Sequence, residues 1–451
     1  MAETITTISP STNKPVVQRH GPTDAELADM PKTAQKAFVK YSKTPLAERQ
    51  KIVRKALQLL NEKQDELAKD ITNQMGRPIA FGAKEVATAV ARGEYLLKIS
   101  DEALSDTPGE PQEGFERFIK KTPLGPVLIL FPWNYPYLTL VNSLVPALLA
   151  GNTVILKPSP QTPTTAESVH NVFVEAGLDK HVIQFFHAGD FDKIAKLVQA
   201  PEIQLVCFTG SVAGGLAVQK AAAGRVDCRV GLELGGKDPA YIRPDVDLAW
   251  AAEEIVDGAV FNSGQSCCSV ERVYVHESVH DKFVEEVKKV LANYKLGDPT
   301  DKGTHVGPVI SKAAKLRIEE HINNAPAWAA WQRRVGTLGL TSMPGAAEFK
   351  EHRLPVADIV MDATRSCGRR STQARHVTQR RCLNLKLTPP IDSALFATSL
   401  LDSSGFSHRL QPETCEMGLR RTDVPSAGVP ESPVRIGISE TNVRNAILMC
   451  T

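Results

Sequence analysis

Charge of one sign is the first thing this sequence lacks. Across 451 residues the basic and acidic side chains nearly cancel, leaving a formal net charge of +2. That balance gives no electrostatic footprint for nucleic acid or an acidic membrane surface, so neither is expected as a partner. Long apolar runs are missing too. The most apolar stretch, LVPALLAGNTVIL, is interrupted by Pro146, Gly151 and Asn152, well short of a membrane span. The eight cysteines are scattered without the regular spacing of a secreted disulfide framework. The opening residues MAETITTISPST lack the apolar core of a secretory signal. A soluble protein of a reducing compartment, the cytoplasm, is therefore expected. No internal repeat is visible, and the length allows two or three domains around a large core.

Periodicity is plentiful in the first seven-tenths of the chain. DAELADMPKTAQKAFVKY and LAERQKIVRKALQLLNEKQDELAKDI place apolar residues at intervals of three and four, which predicts helices through the first hundred residues. From Gly125 onward, short apolar runs alternate with amphipathic segments. PVLIL, TVILK, VIQFF, QLVCF and CRVGLEL read as strands, with helices over about 138–150, 166–176, near 194 and over 212–223. Connections of that length exclude hairpins and predict an α/β fold, a parallel sheet covered by helices on both faces. Ligands of such sheets bind beyond the carboxyl ends of the strands. Asn134, Lys157, Gly210 and Glu233 fall there. After about residue 324 the composition changes. Lysine outnumbers arginine roughly two to one before that point; beyond it lysine almost vanishes and Arg-Arg pairs accumulate. Segment 326–451 is expected to be foreign to the preceding fold, either disordered or translated from a displaced reading frame or misjoined exon.

Four strings carry candidate chemistry. FNSGQSCCSVER sets Cys267 beside Cys268 with no partner at metal-ligand spacing, so neither a bridge nor a metal site is expected. A free thiol ionises near pH ~8.5, so a nucleophilic cysteine needs a dipole, cation or base beside it. A small core cysteine would read the same way. LELGGKDP ends a strand on Glu233, and Gly235 and Gly236 permit a ligand to approach closely; a solvated strand-end glutamate is the plain alternative. In FTGSVAGG, Ser211 reads as the N-cap of a helix whose free N–H groups suit a pyrophosphate. A capped helix without any ligand gives the same letters, and the string is not G-x-G-x-x-G. FPWNYP presents the Asn134 amide from a turn stiffened by two prolines, or else simply buries Trp133.

Taken in order and with their intervals, FPWNYP, LLAGNTVILKPS, FTGS, LELGGK and FNSGQSC resemble the aldehyde dehydrogenase superfamily over residues 8–325. The resemblance implies a Rossmann-type cofactor-binding domain over 1–106 and 123–233, an oligomerisation hairpin over 107–122 and a partial α/β catalytic domain over 234–325. It implies that Cys267 is the nucleophile with Cys268 its flanking neighbour, Glu233 the general base and Asn134 the oxyanion amide. NAD or NADP would be held by Lys157, Ser159, Gly210, Ser211, Gly215 and Trp133. Pro160 stands where many NAD-using members carry a ribose-binding glutamate, which makes NADP admissible beside NAD. Asn142 and Ser143 replace larger aromatic or basic residues of many relatives at the entrance tunnel. The family's E-x-F-G-P string, whose glutamate grips the nicotinamide ribose, does not occur after Asn324, so the implied catalytic domain is incomplete. The implied activity is oxidation of a small aldehyde to a carboxylic acid through a thiohemiacetal and a thioester on Cys267, in a homo-oligomer. Two other readings stand beside it: a catalytically impaired, truncated relative with a binding role, and a cysteine hydrolase, disfavoured because no histidine lies in these motifs.

Overall fold

A computed structural model describes residues 3–324; the expectations for 326–451 lie outside the described residues. The chain begins with an antiparallel hairpin, β1 (Thr4–Ile8) and β2 (Pro15–His20). A purely helical start misses it. TITTI alternates exposed and buried residues, a period of two that suits β-branched side chains, and Asn13 in the turn takes φ 54°, which asparagine tolerates. Four helices follow: α1 (Asp24–Tyr41), α2 (Leu46–Glu62), α3 (Gln64–Met75) and α4 (Ile79–Leu104). Thr23 and Glu26 form a reciprocal capping box at the start of α1, satisfying two otherwise orphaned N–H groups. The continuous periodicity over 46–71 becomes two helices separated at Lys63. Gly76, at φ 78°, ends α3 in the left-handed conformation that glycine adopts without strain. A small antiparallel pair, β3 (Thr107–Pro108) and β4 (Phe118–Ile119), comes next.

The five expected strands form one parallel sheet. They are β5 (Pro126–Leu130), β6 (Thr153–Lys157), β7 (Ile183–Phe185), β8 (Leu205–Thr209) and β9 (Arg229–Glu233), ordered β7-β6-β5-β8-β9. Helices α5 (Pro136–Leu149), α6 (Thr164–Glu175), α7 (Phe191–Val198) and α8 (Val212–Ala222) make the crossovers. Val127, Ile129, Val154 and Leu156 pack on one face with α2 to α6, and Leu128, Leu130, Ile155 and Val206 pack on the other with α1, α7 and α8. Strands buried on both faces read as continuous apolar runs, as β5 and β6 do. The sheet grows one way through β6 and β7 and the other through β8 and β9, so β5 and β8 flank the switch point where ligands of such sheets bind.

Beyond the sheet lie β10 (Asp238–Ile242), α9 (Leu248–Val260), β11 (Val270–Val275), α10 (His280–Ala292) and α11 (Lys312–Asn324). Strands β10 and β11 pair in parallel and pack one face on α9 and α10 through Ile242, Val256, Val273 and Phe283. Their other face bears Tyr241 and Tyr274, partners in register and both exposed. Among the described residues no helix is long and apolar enough to cross a membrane.

Candidate active site

The turn after β5 carries Asn134 into α5, with Pro136 at the first helical position, where its missing N–H costs nothing. No side chain at the helix's own N-cap satisfies its first turn. Glu85, buried on α4, does so from outside, accepting hydrogen bonds from the N–H groups of Tyr137 and Leu138 at 3.0 Å each. Burial raises the Glu85 carboxyl above its usual range, against the pull of Arg77 and the two N–H groups. The sequence reading misses Glu85, because an acid inside an amphipathic helix carries no mark of the distant helix end it caps.

Helix α9 ends at Val260, and the chain turns sharply before the cysteines. Asn262, Ser263 and Gly264 all have positive φ, at 52°, 60° and 71°, a conformation that glycine adopts freely, asparagine tolerates and serine adopts only at a cost. The Ser263 hydroxyl donates to the Gly307 carbonyl at 3.0 Å and accepts from the Gly307 N–H at 3.1 Å. Gln265 Oε1 accepts from the Ile310 N–H at 2.8 Å. Asn134 Nδ2 donates to the Gln265 carbonyl at 3.1 Å, which brings its amide to the loop that bears Cys267. From the other side, Gly236 lies so close to the Cys267 carbonyl oxygen that a Cβ there would overlap it. Glu233, at the end of β9, is near enough for its carboxylate to help raise the Cys267 thiol. The structure thus brings the Asn134 amide, the Cys267 loop and the Glu233 strand end together.

The two neighbouring thiols are the largest cause of each other's shifts, which run in opposite directions. Interaction with Cys267 draws Cys268 down to about 6, with Ser266 assisting against burial, and interaction with Cys268 raises Cys267. The first proton of the pair therefore leaves easily and the second reluctantly. Both cysteines are exposed and unbridged.

The dinucleotide candidates lie at the carboxyl ends of β6 and β8. Lys157 closes β6 at 8% exposure, and burial lowers its amine to about 8, against the opposing field of Glu3. The Ser159 hydroxyl accepts from the Gln161 N–H at 3.2 Å and holds the turn after β6. Gly210 N–H donates to the Glu233 carbonyl at 2.9 Å, tying the ends of β8 and β9. Ser211 caps α8 by accepting from the Gly214 N–H at 3.1 Å, and Gly215 is buried against Leu234, where a Cβ would clash. Trp133 is half-buried against the core beside β5. Asn142 Oδ1 accepts from Arg92 Nη1 at 3.0 Å.

A parallel sheet whose strand ends carry an amide, a carboxylate and a capped helix start, with a thiol-bearing loop bonded to them, defines an α/β protein with a candidate site at the switch point of the sheet. The aldehyde dehydrogenase family model matches residues 1–333, and the chain belongs to that family. A D-glyceraldehyde dehydrogenase (NADP(+)) of Picrophilus torridus is 31% identical over 323 residues, which are 72% of this chain and 65% of that relative. A peroxisomal aminoaldehyde dehydrogenase of Pisum sativum is 35% identical over 269 residues, 59% of this chain and 53% of that one. Among solved structures, the succinic semialdehyde dehydrogenase of Streptococcus pyogenes in complex with NADP+ superimposes with a TM-score of 0.67 at 29% identity, covering 71% of this chain and 70% of that one. The aldehyde dehydrogenase KauB of Pseudomonas aeruginosa gives 0.69 at 30% identity, covering 71% and 66%. The fold is aldehyde dehydrogenase-like. The chain spans just under two thirds of the length of the Picrophilus relative, 65%.

Proposed function

We propose that this chain is an NAD(P)-dependent aldehyde dehydrogenase that oxidises a small aldehyde to a carboxylic acid. The observation that carries the reading is the meeting of Asn134, the Cys267 loop and the Glu233 strand end. Cys267 attacks the aldehyde carbonyl as a thiolate. The Asn134 amide has two N–H donors; one is occupied by the Gln265 carbonyl, and the other is free to meet the oxyanion. A nicotinamide, when bound, supplies a hydride acceptor beside the thiohemiacetal carbon. Glu233 then takes a proton from the water that hydrolyses the resulting Cys267 thioester.

The residues present fit a dinucleotide. Lys157 offers a nearly buried amine at a strand end, the first turn of α8 faces outward behind Ser211, and Gly210 and Gly215 add no side chain of their own beside Phe208 and Leu234. Lys157 would hold the adenosine ribose, Ser159 would lie beside it, and Gly210, Ser211 and Gly215 would face the pyrophosphate near Trp133. In this reading residues 1–106 and 123–233 form the cofactor domain and 234–325 part of the catalytic domain. The 107–122 hairpin serves assembly into a homo-oligomer; its exposed Phe115, Phe118 and Ile119 favour that role. A second reading, an impaired chain that keeps cofactor binding, is favoured by the open aromatic face of β10 and β11. The full chain, assayed on an aldehyde panel with each nicotinamide cofactor, separates the two. Cys267→Ala is expected to lower oxidation by about a thousandfold or more, and Cys268→Ala to leave most of it. Equal losses refute the nucleophile assignment, and cofactor binding without any oxidation selects the second reading.

A further inference from the structure

The turn ahead of the cysteines runs through two successive left-handed residues, Asn262 and Ser263 at φ 52° and 60°, and at the serine that conformation is unfavourable. Such conformations persist only where surrounding contacts over-determine them. The contacts here converge on a cation that no motif singles out. Arg77 lies between α3 and α4 and is 4% exposed. Its Nη2 donates to the Asn134 backbone carbonyl at 2.8 Å, and its Nε donates to Asn262 Oδ1 at 3.0 Å. The guanidinium carbon sits 4.2 Å from the centroid of the Tyr135 ring. Asn262 closes the figure, its Nδ2 donating to the same Asn134 carbonyl at 3.0 Å and to the Gln265 carbonyl at 3.2 Å. One buried guanidinium therefore holds the turn that presents the amide and the turn that presents the thiols.

The base of that guanidinium is fixed from a third side. Gly307 packs directly on the Gly76 carbonyl, where a Cβ would overlap it, and the same 307–310 segment grips Ser263 and Gln265. A planar fork with fixed donor directions can serve two acceptors and a ring face at once, which a lysine ammonium cannot. We propose that Arg77 is a positioning residue: it sets the Asn134 amide and the cysteine loop relative to one another without touching the substrate. The inference rests on the reading of Asn134 and Cys267 given above.

The test compares Arg77→Lys, Asn262→Gly and Asn262→Asp in the full chain. Glycine at 262 accepts the left-handed φ, so that variant folds without the acceptor. Aspartate keeps the acceptor for Arg77 and removes the donor to the two carbonyls. Arg77→Lys and Asn262→Gly are expected to lower kcat by about a hundredfold while KM and cofactor Kd stay within about threefold, because the amide and thiol lose their mutual placement. Asn262→Asp is expected to recover at least part of that loss. A second readout needs no turnover: the partition of iodoacetamide between Cys267 and Cys268, mapped by peptide mass spectrometry, shifts about threefold or more when a hydrogen bond holding the loop is lost. A lower Tm with kcat per folded molecule and thiol partition both unchanged assigns Arg77 to stability alone and overturns the proposal. If Arg77→Lys does not fold, Asn262→Gly decides. If the unmodified chain oxidises no aldehyde, the enzymatic reading fails, and the thiol partition still decides the role of Arg77.

Discussion

The two parallel sheets among the described residues have very different surroundings. In the five-stranded sheet, β5 and β6 are buried along their whole length with helices on both faces. In the β10–β11 pair only one face meets helices, while Tyr241 and Tyr274 on the other are 62% and 38% exposed. Parallel strands are found almost only with both faces covered; among the described residues the first region meets that pattern and the second does not. The candidate site straddles them. Asn134 and Lys157 come from the covered sheet, and Cys267 comes from the loop between α9 and β11. The covered region can hold its residues by packing; the thiols depend on bonds that reach across, from Asn134, Gly307 and Ile310.

The sharpest way to break this contrast is one substitution in each sheet. Leu128→Ala removes a side chain with no exposed surface from the centre of β5, and a loss of about 2–5 kcal/mol in chemical denaturation is expected. Tyr274→Ser, on the open face of β11, is expected to change stability by no more than about 0.5 kcal/mol and to reduce self-association, since an exposed aromatic patch is an association site. Comparable losses in the two variants would mean that the tyrosine face is covered in the full chain.

The contrast also explains what the sequence disclosed. Strands β5 and β6 were legible because fully buried strands are uninterrupted apolar runs, and α1 because its apolar spacing and Thr23–Glu26 cap agree on one start. The motif strings led to Asn134, Lys157, Glu233 and Cys267 because each lies at the end of such a run or in a glycine-punctuated turn. What escaped was nonlocal. Glu85 caps a helix 51 residues further along, where Pro136 begins it, and Arg77 bonds to Asn262 across 185 positions. Neither partner leaves a local signature, because a buried polar bond has no period. The β1–β2 hairpin escaped for another reason: five residues of alternation are easily outweighed by the long helical pattern that follows.

A pH titration sharpens the contrast at Lys157, which only a covered sheet can bury so completely. Its amine, lowered to about 8 from 10.5, loses its charge in the folded protein as pH rises through 8. NADP affinity is expected to fall about tenfold between pH 7 and 9, as a charge-assisted contact to the cofactor is lost, and Lys157→Met should flatten the profile. The linkage sign is opposite for stability. Between pH 8 and 10.5 the unfolded chain binds more protons at this group than the folded one, so its contribution to stability rises with pH across that window. Affinity and stability that fall together would remove Lys157 as the cause.

The smallest expected effect concerns the edge of the covered region. Glu167 on α6 receives Arg19 from β2 at 2.6 and 2.8 Å and His187 at 2.9 Å. Burial pushes its carboxyl up, but the bonds from His187 and Arg19 outweigh burial and hold it at about 2. A carboxylate depressed in the folded state contributes stability that is fully present above its unfolded value of 4.5 and is lost as pH falls from there through 2. Because the Arg19 side chain is 38% exposed, solvent screening keeps the expected loss below about 1 kcal/mol. Urea midpoints at pH 5 and pH 3 measure it, with Glu167→Gln as the variant that should lose this component of the acid sensitivity. Hydrogen exchange then locates it. The β1–β2 amides should open first in acid, because Arg19 joins that hairpin to α6, whereas the amides of β5 and β6 keep their protection. If β5 and β6 open together with the hairpin, the covered sheet is not the independent anchor that its burial implies.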